Sequence, residues 1–206
     1  IKFRTLYCSE LTVETLVAQN TIATIGGRIL VGPTTMLVEN LASGDTHIHV
    51  KHNQMASGDR VYLEAGGNIE WISIDSAAGG GAGNYTYTVT RNLDGTGAND
   101  WYAGDALFNT GTTGNGFIDL YSFSGIRAGT EVGPSIVGSV RTGATYSQTA
   151  PRWAVGNLKG LYDYGVNTVY GFAAGDYAET WVAIDATNGM RIQHGATLKI
   201  GLTAAG

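Results

Sequence analysis

An all-β fold is the first inference from this sequence, and two observations support it. Short segments rich in Val, Ile, Thr and Tyr alternate in hydrophobicity with a period of two, the pattern of half-buried strands. These segments recur about every ten residues and are separated by turn-forming pairs such as Gly58-Asp59, Asp94-Gly95 and Gly104-Asp105. We therefore expect a small antiparallel β barrel or sandwich, followed by a second β-rich region.

Residues 1–33 are predicted to form an N-terminal connector that contains the one helical pattern of the sequence. Ser9 can cap a helix that runs to Ile25, and Gly26-Gly27 would end it. The same stretch also alternates with period two and is rich in Thr and Val, so a strand stays open as an alternative. A short helix with so narrow an apolar stripe can form a coiled coil with copies of itself or lie on its own domain.

Residues 34–110 are predicted to form the barrel or sandwich module. From Arg28 onward, strands are expected at residues 28–31, 35–38, 46–50, 60–65, 69–75 and 85–91. Residues 76–84 contain three consecutive glycines and are expected to form a loose hairpin tip. Asp94-Gly95 should turn the chain so that residues 101–108 return as a strand.

Residues 111–206 are predicted to form a Gly- and aromatic-rich β region that leads into a shaft of short strands. Residues 111–116, Gly-Thr-Thr-Gly-Asn-Gly, are expected to be a linker. Strands are predicted at residues 117–123, 135–141, 152–157, 168–172, 180–184, 190–192 and 197–200. Because strands of three or four residues cannot enclose a core alone, we expect those after Val182 to stack as a solenoid or to intertwine with other chains.

The composition indicates that this chain meets other protein chains. Charged residues make up only 14% of the sequence, against ~25% in ordinary soluble domains. The net charge is −5 and no run of Lys or Arg occurs, which argues against a nucleic-acid partner. No stretch is apolar enough for a membrane helix, so membrane insertion is not expected. Cys8, the one cysteine, offers neither an internal disulfide nor a zinc site.

Several stretches of the sequence resemble bacteriophage tail and tail-fibre proteins. The turn-and-strand segments Ala56-Ser57-Gly58-Asp59-Arg60-Val61-Tyr62-Leu63, Val89-Thr90-Arg91-Asn92-Leu93-Asp94-Gly95-Thr96 and Tyr102-Ala103-Gly104-Asp105 are similar to a small β module of those proteins. Two later segments, residues 153–165 and 184–192, look like parts of the same class of virion proteins. The matching stretches are spread over residues 56–192, a span of well over half of the chain.

The resemblance implies a structural virion protein, a segment of a tail fibre, tail tip or baseplate appendage that takes part in assembly and host attachment. Its partners would be two further copies of the same chain in an intertwined homotrimer, other phage tail proteins and host surface polysaccharide. Its location would be the virion, outside the cell. The matching stretches carry no active site of that family, so neither enzymatic activity nor a cofactor is expected.

Aromatic side chains are the main candidates for contact with a receptor or a sugar, because a flat ring presents an apolar face with polar edges. The candidates are Trp101, Trp153, Tyr162 and Tyr164, and the loop that carries the two tyrosines is favoured. A carbohydrate-binding adhesin module is therefore an alternative function. Packing in a core or in a trimer interface is the commoner use of such residues in β proteins.

Two further kinds of chemistry are open alternatives. His47 and His49 share one face of a strand, with His52 nearby, and could hold a divalent ion on a three-fold axis; solvated histidines are the more ordinary interpretation. Glu64, Glu70 and Asp75 could supply the carboxylate pair of a polysaccharide depolymerase. We expect these acids to be isolated side chains on strand exteriors, and Asp94, Asn99 and Asp100 to form a turn rather than a calcium loop.

Overall fold

The computed structural model describes residues 28–65, 68–81, 83–121, 133–145 and 148–202, and in these ranges the chain is all-β. The one exception to strand and loop is a single 3₁₀ turn at Leu93–Gly95. The predicted fold class is therefore confirmed. The helix predicted at residues 9–25 lies outside the described residues.

In the described ranges, fourteen strands form two antiparallel sheets. In chain order they are β1 Arg28–Val31, β2 Thr34–Met36, β3 His47–Val50, β4 Arg60–Ala65, β5 Asn68–Gly81, β6 Asn84–Thr90, β7 Ala106–Gly111, β8 Gly116–Tyr121, β9 Ser135–Arg141, β10 Thr149–Asn157, β11 Tyr170–Gly175, β12 Thr180–Asp185, β13 Gly189–His194 and β14 Thr197–Leu202. The six-stranded sheet has the order β2-β7-β4-β5-β6-β3, and the eight-stranded sheet has the order β1-β8-β9-β10-β11-β12-β13-β14.

The six-stranded sheet curls until its two edges meet. Leu37, just after β2, forms a bridge with Val50 at the end of β3. Two backbone hydrogen bonds flank this bridge, from the Val38 N–H to His49 at 2.9 Å and from the Lys51 N–H to Met36 at 3.0 Å. The barrel encloses a core of alternate side chains from every strand but β2, among them Ile48, Val61, Leu63, Ile72, Ile74, Tyr87, Val89 and Leu107.

Three turns of the barrel share one hydrogen-bonded construction, at residues 42–45, 56–59 and 102–105. Each has Gly at its third position and Asp at its fourth. The N–H of the first residue donates to the Asp carboxylate at 2.7 or 2.8 Å, and the Asp N–H donates back to the first carbonyl at 3.0 Å. The Asp side chain therefore closes the turn from inside, as the sequence pattern predicts.

The structure corrects two details of the predicted barrel. The glycine-rich segment is strand rather than a loose tip, since β5 continues to Gly81 and pairs with Asn84 at the start of β6. The strand after the Asp94-Gly95 turn does not return along β6. Instead β7 pairs with β2 and β4, because the turn carries the chain across the barrel rather than back beside its predecessor.

The segment 111–116, predicted as a linker, is a tight turn that joins β7 of the barrel to β8 of the eight-stranded sheet. The N–H groups of Thr112 and Asn115 are bonded within the turn, and Gly114 donates to the Arg141 carbonyl at 2.8 Å. Arg141 in turn donates to Thr110 Oγ1 and places its guanidinium 5.4 Å from the Trp71 ring centroid. These contacts hold the barrel against the eight-stranded sheet.

The short strands after Val182 pair within the chain. β12, β13 and β14 are successive antiparallel neighbours in the eight-stranded sheet. The alternative of a solenoid is therefore not what the chain forms, and pairing between copies is not needed to complete these hydrogen bonds. Strands β1 and β14 end the sheet, each with one neighbour among the described residues.

Candidate functional site: an uncovered sheet face

One face of the eight-stranded sheet, here called the inner face, carries small side chains. Val137, Ala154, Ala173 and Ala183 are register partners across β9 to β12. Because these side chains are short, the loop of residues 158–169 packs closely on them and contributes Leu158, Leu161, Tyr164 and Val169 to a second core. The inner face is therefore covered by the chain itself.

A partly buried polar cluster fixes that loop to the sheet. The Tyr164 hydroxyl donates to Asp185 at 2.6 Å, and Arg191 pairs with Asp163 of the loop at 2.9 Å. The Arg191 guanidinium also lies 4.9 Å and 5.2 Å from the ring centroids of Tyr164 and Trp181. Burial and then the hydrogen bond to Asp185 raise the pKa of Tyr164, so its hydroxyl stays a proton donor at neutral pH.

Asp185 also organises the hairpin that follows it. Its carboxylate accepts hydrogen bonds from the N–H groups of Thr187 and Asn188 at 2.9 and 2.7 Å. Burial alone would raise the pKa of Asp185, but the hydrogen bonds from Tyr164, Asn188 and Thr187 outweigh it and lower the pKa. The ionised carboxylate therefore joins the loop to the β12–β13 turn.

The opposite face, here called the outer face, is apolar along two rows that cross the sheet in register. The first row runs from β8 to β14 and the second from β1 to β14. The first comprises Leu120, Ile136, Val155, Phe172, Ile184, Met190 and Leu202, and the second comprises Val31, Ile118, Gly138, Trp153, Ala174, Val182, Ile192 and Ile200. No charged residue stands in either row.

None of the residues that the structure describes covers the outer face, although it carries Phe172, Ile184 and Met190. Its most exposed members show from 37% (Ile136) to 64% (Leu202) of their surface. Side chains of this size at these exposures present on the order of 700 Å² of apolar surface, more than the ~300–600 Å² of the largest patch on a typical monomer. The patch is therefore large enough to mark an interaction site.

A shallow groove of about 340 Å³ opens at the β1 end of the outer face. Val31, Ile118 and Trp153 line it together with Arg152. The Trp153 indole lies over Gly138, where any Cβ would overlap with the ring. Because the tryptophan fills the space that the glycine leaves, the groove continues the outer face rather than forming a separate pocket.

The four aromatic residues predicted to contact a receptor or a sugar differ in how far the structure exposes them. Trp101 is buried in the barrel core at 2% exposure, and Tyr164 is buried under the loop at 4%, so neither presents a ring face to a ligand in this structure. Tyr162 is half-buried, packs 5.1 Å from the Trp181 ring and has its pKa raised to about 12, chiefly by burial. Trp153 is half-buried on the outer face.

The histidine candidates lie together but lack a third ligand. His47 and His49 share the outward side of β3, and each ring accepts or donates a hydrogen bond with a threonine, Thr46 at 3.1 Å and Thr86 at 3.0 Å. His52 follows in the next loop. Among the residues that the structure describes, no group of three His, Cys, Asp or Glu side chains could hold a metal ion.

The carboxylates proposed for hydrolysis point in different directions. Glu64 is exposed, whereas Glu70 is fully buried on the inside of the barrel, which corrects the expectation that both lie on strand exteriors. Glu70 accepts two hydrogen bonds from Arg91 at 2.6 and 2.7 Å and one from the Trp101 indole at 2.7 Å. Asp75 accepts hydrogen bonds from Ser73 and Thr90. These acids form no facing pair.

Asn99 and Asp100 are structural, as expected. The Asn99 N–H donates to Glu70 at 3.1 Å, and Asp100 accepts a hydrogen bond from the Ser43 N–H at 2.7 Å. Both groups are therefore occupied in tying the turn after β6 to neighbouring strands.

Sequence reasoning missed Arg191, Asp185 and Phe172, although a signal was present for two of them. Asp185 precedes the Asn188-Gly189 turn at the spacing of a side chain that caps a hairpin. Phe172 belongs to a strand with apolar residues on both faces, a pattern typical of sheets covered on both sides. Arg191 has no such signal, because its partners come from distant segments of the sequence.

Comparisons with protein-family models, curated proteins and solved structures found no match to this chain. None of the described residues belongs to a helix long and apolar enough to cross a membrane.

Proposed function

We propose that this chain is a structural virion protein, a segment of a phage tail fibre, tail tip or baseplate appendage that assembles as a homotrimer and takes part in host attachment. The observation that carries the proposal is the outer face: the sheet turns Val155, Phe172 and Ile184 outward and their strand neighbours Ala154, Ala173 and Ala183 inward. Such a face is stable in water only when another surface covers it. A subunit of a permanent assembly meets that requirement.

The phage assignment rests on the resemblance of the turn-and-strand motifs. Two of the Gly-Asp turns of the barrel, at residues 56–59 and 102–105, and the hairpin at Asp185 lie in those motifs and are built from hydrogen bonds, not from catalytic groups. The motifs therefore specify a rigid β scaffold. A scaffold with few charges and an uncovered face suits a fibre or tail-tip segment.

Localisation on phage particles tests this proposal. Antibodies raised against the purified chain should label the tail of intact particles of the encoding phage in immunogold electron microscopy, and its peptides should be found in those particles by mass spectrometry. Particles that neither bind the antibody nor contain the peptides would contradict a virion role. Particles lacking the gene that still adsorb normally would remove the attachment role.

A further inference from the structure

We infer that the outer face is the surface through which copies of this chain bind one another, so that its occupant is a second copy of the chain. The inference rests on the proposed function in that both require assembly. It requires neither a phage particle nor a particular number of copies.

The size of the outer face fits an interface between proteins. The outer face exposes on the order of 700 Å² of apolar surface, which is close to the ~800 Å² that each partner buries in an interface of standard size. The second row crosses all eight strands of the sheet, and the first row crosses the seven from β8 to β14. A small ligand would cover only a fraction of such a strip.

The chemistry of the outer face fits a copy of itself better than a polar ligand. Its two rows offer no charge and, apart from the Trp153 indole N–H, no side-chain hydrogen-bond donor. A glycan or nucleic acid would lose its hydrogen bonds to water there without replacement, at a cost that apolar contact does not offset. An identical apolar strip carries no such penalty, and identical chains usually assemble with closed symmetry.

The differing heights of the side chains on the outer face also favour packing against the same sheet of another copy. Phe172 and Ile184 project beside the shorter Ala174, so large and small side chains alternate between neighbouring positions. Two sheets that pack face to face interdigitate through such differences in height. The last strand, β14, adds Ile200 and Leu202 at 58% and 64% exposure, and a neighbouring copy would shield this sheet edge as well.

A pair of matched variants of the whole chain tests the inference. Val155→Glu places a charge in the first row of the outer face, whereas Val166→Glu places the same charge on the loop that covers the inner face, at a position 81% exposed. We expect Val155→Glu to weaken self-association about 100-fold or more, because a buried unpaired charge opposes binding. Val166→Glu should leave it unchanged. Sedimentation velocity over a concentration series measures both, and circular dichroism checks that the strands persist.

Footprinting of the unaltered chain decides the question even if Val155→Glu fails to fold. Hydroxyl radicals should oxidise Met190 and Phe172 slowly at micromolar concentration and faster after dilution to the monomer. Tyr102, 65% exposed on the barrel, should react equally in both states. A chain that is monomeric at all concentrations, an oligomer indifferent to Val155→Glu, or an outer face protected in the monomer by other residues of the same chain would each overturn the inference. Failure to label phage particles would leave it intact.

Discussion

Glu70 shows how the barrel uses a charged side chain as part of its core. The carboxylate is fully buried and is held by Arg91, Trp101 and the N–H groups of Asn92 and Asn99. It joins the end of β6 and the long turn after it to β5. Removing one member of a buried ion pair leaves the other charge without compensation, which is strongly destabilising.

Glu70→Gln is therefore expected to lower the free energy of unfolding by about 3–5 kcal/mol. The amide keeps the volume of the side chain but leaves Arg91 with no anionic partner. Glu64→Gln is the matched control, since Glu64 lies on the neighbouring strand with its side chain exposed, and should change stability by less than about 1 kcal/mol. Urea unfolding followed by tryptophan fluorescence measures both. Equal effects of the two substitutions would contradict the role of Glu70.

The same carboxylate predicts a dependence of stability on pH. Burial alone would raise the pKa of Glu70, but hydrogen bonds from Arg91, Trp101 and Asn99 lower it below the ordinary value of 4.5. A group whose pKa is lowered on folding stabilises the fold above its unfolded pKa, and that contribution is lost as the pH falls through the folded pKa. The stability difference between the unaltered chain and Glu70→Gln should thus be full near pH 7 and shrink below about pH 4.5. A difference that stays constant down to pH 3 would contradict this.

The buried ion pair of Glu70 and Arg91 could have been predicted from the sequence. Glu70 has the same parity in its strand as Ile72 and Ile74, and Arg91 has the same parity as Val89. A Glu and an Arg in phase with core positions predict an inward ion pair. The inward position of Trp101 cannot be predicted from alternation in the same way, because Trp101 forms an isolated bridge with Leu41 and does not belong to a regular strand.

Among the elements, the Gly-Asp turns were predicted best, since their residues determine their own conformation. Gly104 has a φ of 101°, in the left-handed region, whereas Gly44 in the equivalent turn does not have a positive φ. The two turns therefore share a sequence motif, but of these two glycines only Gly104 has a backbone conformation that favours glycine.

Gly104→Ala should lower the free energy of unfolding by about 1–2 kcal/mol, because alanine is strained at that φ even though the space around it is open. In Gly44→Ala the added methyl group also meets no atom within 4 Å, and the backbone is unstrained, so we expect a change below about 0.5 kcal/mol. Thermal and urea unfolding of the two variants provide the comparison. A Gly44→Ala loss as large as that of Gly104→Ala would show that the turns fail for another reason.

The positions of the strands in the second region were also predictable. The sequence did not predict which strands pair, or which side chains of each strand point toward the covering loop. Alternation located β9 and β12 to within a residue, as Ser135–Arg141 and Thr180–Asp185. In β12, however, Val182 and Ile184 alternate with Trp181 and Ala183, so hydrophobicity alone does not say which side meets the loop. Loop length and the small volume of Ala183 decide it, and these act only in three dimensions.

At the scale of the whole molecule, the strands of both sheets pair within one chain, but the two sheets bury their side chains unequally. The barrel closes around its core. The eight-stranded sheet covers its inner face with the loop of residues 158–169, whereas no described residue of the chain covers its outer face. The strands after Val182 are predicted from the sequence to be too short to enclose a core; they are instead six residues long, pair within this sheet and contribute Ala183 to its second core.

The molar mass of the unaltered chain in solution tests this picture most directly. Light scattering coupled to size exclusion, at micromolar concentration, should give a single species at three times the chain mass of 21.6 kDa. A single species at 21.6 kDa that persists as the concentration is raised would contradict the assembly of copies through the outer face.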